Sequence, residues 1–187
     1  MQYRGPGVDV SLSSVAGAGV GMAVLMPALA KGRDQARKAT SMSNLKQIGL
    51  GLHMYGKDHQ DKLPANLEQA KSYWPNARIL ESPRKPKDWA GPSYVYVPGQ
   101  DLSMNPGNMV AYENPEFSAD GTNVLFLDGH VEFMKPDDFR REFKETYERL
   151  GKPMPEIQFK GEGGGEGEGE VKPRPPRPPR PAKSTQA

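Results

Sequence analysis

Downstream of Pro27 the spacing of apolar residues first follows a helical period, then the two-residue period of strands, then a helical period again. In "NLKQIGLGLHMYGKDH" Leu45, Ile48, Leu52 and Tyr55 recur every three or four residues. Ala36, Ala39 and Met42 extend the stripe upstream, while Lys38, Lys46 and Gln47 fall off it, predicting one long amphipathic helix from Pro27 to about Gly56. Proline is tolerated in the first turn of such a helix, where its missing donor has no partner anyway. Leu67 to Trp74 reads as a short helix, and "RILESP" (Arg78 to Pro83) as a short strand running into a proline stop. "SYVYVP" (Ser93 to Pro98) and "NMVAYE" (Asn108 to Glu113) are rich in strand formers and predict a neighbouring pair.

The stretch "GTNVLFLDGHVEFMKP" then places Asp128-Gly129 between two apolar runs, a hairpin signal whose simplest turn is type I′, with positive φ at both central residues. Alternation in the return strand puts Val131 and Phe133 on one face and His130, Glu132 and Met134 on the other. In "PDDFRREFKETYERLGK", Pro136 and Asp137 start a helix, Phe139, Phe143, Tyr147 and Leu150 form its stripe, and Gly151 stops it. The sum is an α+β fold: a long N-terminal helix, an antiparallel sheet of about four strands and a C-terminal amphipathic helix.

Composition divides the chain around that unit. Only 35% of the 187 residues are hydrophobic, and 40 are glycine or proline (21 and 19), a bias that implies a part without a core. From Gly161 a glycine-glutamate block is followed by a proline-arginine block, which predicts disorder. At the other end, Val10 to Ala30 carries no charge and is nominally long enough to cross a bilayer, although diluted by serines and glycines. Arg4 before it and "ALA" before Lys31 also resemble a secretory signal. The expected organisation is an apolar membrane- or export-like segment over residues 1–30, a helix-and-sheet domain with its closing helix over 31–151, and a disordered tail over 152–187.

Chemistry is sparse. The absence of cysteine excludes thiol catalysis, disulfides and cysteine zinc sites, and a net charge of +2 gives no argument for nucleic acid. Asp58, His59 and Asp61 gather oxygen and nitrogen ligands in one loop, and Asp101, Asn105 and Asn108 in another, but these residue types are also the ordinary content of helix exits and turns. The histidines, His53, His59 and His130, lack ligand spacing, and no nucleophile, phosphate-loop or nucleotide motif is present, so neither an enzyme nor a small-molecule substrate is indicated. Asp128, Gly129 and His130 are explained by turn geometry. The cationic tail residues Lys172, Arg174, Arg177, Arg180 and Lys183 suit a solvated spacer or contact with an acidic polymer.

The wording of "NLKQIGLGLHMY" and "NVLFLDGHVEF", within the span from Gly21 to Lys135, resembles the bacterial type IV pilin-like or pseudopilin-like family with the prepilin-type processing-associated H-x(9)-D-G motif. That resemblance implies a long helix packed on a small antiparallel sheet, and a non-enzymatic envelope protein anchored in a membrane or assembled with other pilin-like subunits in a secretion or pilus-type system. It makes Leu45, Ile48, Leu52 and Tyr55 the expected assembly face. It implies a periplasmic or extracellular domain and, through the calcium used by major pseudopilins, a possible role for the Asp101 loop; no other cofactor is expected. Two positions depart from the pattern. Ser118 stands where the motif has histidine, and Gly5, followed by Pro6 with Asp9 nearby, stands where the peptidase cleavage glycine is expected. The alternative is a secreted binding module released after Ala30.

Overall fold

The computed structural model describes residues 18–162, with side chains from Met26 onward. Its spine is helix α1, Ala18–Asp58, 41 residues and so about 60 Å long. It does not begin at Pro27 as the sequence predicts but runs through it. Proline here removes one helical hydrogen bond, that of its own missing N–H, and the helix continues on both sides of it. The buried positions begin at Ser41 and continue through Leu45, Ile48, Gly49, Leu52 and Gly56 at helical spacing, so the C-terminal half of α1 lies on the sheet and the preceding turns project beyond it. Glycines in this half let neighbours approach closely. A Cβ at Gly49 would meet Leu125 Cδ1 at 2.8 Å, and one at Gly51 would collide with the Trp74 ring.

Two 3₁₀ turns follow, Leu67–Tyr73 and Ala77–Leu80. The second replaces the strand expected at Arg78 to Pro83. Asn76 accepts the Arg78 N–H at 2.9 Å and so caps a helical turn, a local bond that an isolated strand has no partner to match.

Strands β1 (Tyr94–Tyr96), β2 (Met109–Glu113), β3 (Thr122–Phe126) and β4 (Val131–Met134) form an antiparallel sheet in sequential order. Between Met109 and Ala111 the β2–β3 register shifts, so β2 gains one residue, and Val110 and Ala111 both join the core under α1. Helix α2, Pro136–Leu150, closes the opposite face. It starts with Pro136, carries Asp137 and Asp138 in its first turn, and ends at Gly151 in the left-handed region, φ 62°. Two cores result. Leu45, Ile48, Leu52, Tyr94 and Leu125 fill the layer under α1, and Met109, Tyr112, Phe126, Met134, Phe139 and Phe143 fill the layer under α2. The rings of Phe139 and Phe143 meet Tyr112 edge-on at 5.1 and 5.7 Å.

The folded unit does not end at Gly151. Phe159 is 2% exposed inside the second core, and the Lys160 N–H donates to the Pro115 carbonyl. The Phe159 ring, with Ile157 half-buried beside it, packs this segment against the second core. The start of the uncharged run, Val10–Gly17, and the glycine-glutamate and proline-arginine blocks from Gly163 lie outside the described residues. Among the described residues no helix is long and apolar enough to cross a membrane.

Candidate functional site

The Asp128-Gly129 corner is a hairpin, but its turn is not type I′. Gly129 has φ 89°, whereas Asp128 is not among the residues of positive φ. The loop is three residues, Leu127 to Gly129, closed by Gly129 N–H to Phe126 O at 2.9 Å and Phe126 N–H to His130 O at 3.0 Å. Only the glycine therefore takes the left-handed place, the arrangement that gives a bulge after the turn. Asp128 Oδ1 accepts the His130 backbone N–H at 2.9 Å and the His130 ring Nδ1–H at 2.5 Å. Partial burial pushes the Asp128 carboxyl up, but the two hydrogen bonds and the charge of His130 outweigh it and hold the carboxyl below its ordinary value. The exposed His130 ring stacks on Phe126, with centroids 4.2 Å apart.

What this corner does mechanically is dock on α1. His53 Nε2 donates to the Leu127 carbonyl at 2.7 Å, and the Leu127 N–H donates to Asn108 O at 2.9 Å. Ser118, at the position of the missing histidine, follows the short turn Pro115–Phe117, where its Oγ accepts the Asp120 N–H. On the outer side of β4 a shallow groove of about 600 Å³ runs between the strand and α2, lined by His130, Glu132, Lys135, Asp138, Arg141 and Glu142. Acids and bases alternate along it, and Arg141 is already paired with Asp138 at 2.8 Å.

The two candidate cation loops are spent on local bonds. Asp61 pairs with Lys57 at 2.8 Å, Asp58 accepts from Tyr73 Oη at 2.7 Å, and His59 Nδ1 donates to the Tyr55 carbonyl while its ring stacks on Tyr55. Asp101 Oδ1 accepts from the Ser103 hydroxyl and N–H, and those bonds lower its pKa. Asn105 accepts the Gly107 N–H, and Asn108 accepts from Arg149. Among the described residues no group of three or more His, Cys, Asp or Glu is arranged to hold a metal.

The expected assembly face is corrected by the structure. Leu45, Ile48 and Leu52 are buried against the chain's own sheet and Tyr55 is half-buried beside them, because the two-sided sheet needs an apolar helix face to cover it. Among the described side chains of α1, the large apolar ones left exposed are Met26, Leu29, Leu50 and Met54.

A polar centre absent from the sequence reading sits where α1 enters the sheet layer. Glu113, 1% exposed, accepts from Ser41 Oγ at 2.8 Å, Arg84 Nη1 at 3.1 Å and Asn123 Nδ2 at 3.2 Å, and closely from Ser82 Oγ. Tyr94 Oη lies 3.1 Å from Ser41 Oγ, and Asn123 Nδ2 also donates to the Lys38 carbonyl. Burial raises the Tyr94 pKa against the opposing bonds from Ser41 and Asn44. One carboxylate thus ties together α1, the turn at Ser82–Arg84, β2 and β3, and clamps them to one another. A glutamate directly following the run Met109 to Tyr112 was the available signal.

A family model described as "Protein of unknown function (DUF1559)" matches residues 30–102. The match takes in the packed half of α1 and β1 and stops before β2, so the Asp128-Gly129 hairpin lies outside it. No curated protein and no solved structure matches the chain.

Proposed function

We propose that the protein is a pilin-like envelope component whose head is carried on its N-terminal helix, by membrane anchoring or by assembly with other subunits. The observation that carries this reading is the division of α1: one continuous helix is buried in the head from Ser41 onward and exposed over residues 26–37, downstream of an uncharged run. A helix that only completed a core would end with that core, since unpacked turns gain little stability of their own. The family match over residues 30–102 is compatible with this role.

In this role the protein catalyses no reaction. The head presents a surface and the helix fixes its place, so subunit contacts would use the outward residues Leu29, Leu50 and Met54 rather than the Leu45, Ile48, Leu52 and Tyr55 stripe. Partners are other pilin-like or envelope proteins, and the head faces the periplasm or the exterior. Deletion of residues 10–30 tests the anchor. The full chain is expected to stay in the membrane pellet after an alkaline wash and the deletion variant to be released; release of both would overturn the reading.

A further inference from the structure

We propose that Lys31, Arg33, Arg37 and Lys38 form a cationic collar that binds anionic phospholipid headgroups where α1 leaves the bilayer; this rests on the anchoring reading above. Three observations converge. Four cations stand against the single acid Asp34 in one short stretch of α1, and it directly follows the uncharged run that ends at Ala30. Lys31, Arg33 and Arg37 are exposed and lie between the apolar run and the folded domain, with Lys38 at the edge of the head. The cations are also spread around the helix: at 100° per residue they sit at roughly 0°, 200°, 240° and 340°. A helix lying flat on a membrane would gather its cations on one side. A ring of them suits a helix that passes through the headgroup layer, and the rise from residue 31 to residue 38, about 10 Å, is enough to span that layer, about 5–8 Å deep on each side of the hydrocarbon core.

Lys38 has a second task that fixes the collar to the head. Its Nζ lies 2.9 Å from the centroid of the Phe133 ring on β4, and burial together with the nearby Arg84 charge lowers its pKa. Lys31, Arg33 and Arg37 are thus the positions to change without touching the head.

The test uses the full chain and a Lys31→Gln/Arg33→Gln/Arg37→Gln variant in flotation assays with phosphatidylcholine vesicles, with and without phosphatidylglycerol, at low and high salt. A Lys or Arg near an anionic surface is worth about fivefold in binding, so the triple change predicts a loss on the order of 100-fold on the anionic vesicles. The same change should leave binding to the neutral vesicles as it was, and high salt should erase the difference between the two proteins. Equal binding of the unaltered chain to both vesicles, or a variant that keeps its preference for phosphatidylglycerol, would overturn the collar and leave the anchor standing. Binding of the unaltered chain to neither vesicle would overturn the anchor itself.

Discussion

Replacing Glu113 with alanine removes the acceptor shared by Ser41, Ser82, Arg84 and Asn123. Arg84, whose side chain is 5% exposed, is then left as a buried cation without a counter-charge. Breaking a buried ion pair by removing one partner costs about 3–5 kcal/mol. Typical domains unfold with only about 5–15 kcal/mol in total, so the variant should lose between about a fifth of its margin and all of it. Urea unfolding at neutral pH measures this, with Arg84→Met and the double variant Glu113→Ala/Arg84→Met completing the cycle. Because the double variant leaves no unpaired charge, it should be more stable than Glu113→Ala by about 2 kcal/mol or more. A loss below about 1 kcal/mol for Glu113→Ala, or additive effects of the two sites, would refute the clamp.

Three further outcomes follow from the same geometry. Gly129→Ala should cost about 1–2 kcal/mol in urea unfolding, since a Cβ there meets only His53 Nε2 at 3.9 Å and the penalty is the left-handed backbone alone. Asp128 titrates below its ordinary range when folded, so its contribution is present above the unfolded carboxylate pKa and is lost as pH falls through the folded one; an Asp128→Asn variant should show a shallower loss of thermal stability on acidification than the unaltered chain. Phe159→Ala should destabilise the head by about 3–5 kcal/mol, whereas a chain ending after Leu150 that unfolds at the same urea concentration as the full protein would contradict the packing of segment 152–159.

The helices and the hairpin were legible because each carries its period in side chains that meet a single core. Phe139 and Phe143 repeat at four residues, and Asp128-Gly129 interrupts two apolar runs, so neighbouring sequence sufficed. The buried polar centre was not legible, because the sheet is covered on both faces. All five residues of β2 are buried, alternation no longer marks an outside, and Glu113 looks like the polar position of a half-exposed strand. Its partners at 41, 82, 84 and 123 come together only through the tertiary fold. The turn type failed for a related reason: Asp-Gly fits a two-residue loop, but the strand pairing ends at Leu125–Val131 and leaves Leu127 in the loop as well. The overreading of Pro27 as a start came from weighting a local proline preference over a helix long enough to lose one hydrogen bond and continue.

The mature N-terminus in fractionated native cells, read by intact mass and N-terminal peptides, tests the central claim most directly. A protein that retains residues 10–30 and sediments with the membrane is the predicted result. A species that begins at Lys31 and stays in the supernatant would contradict an anchored head and leave a secreted binding module.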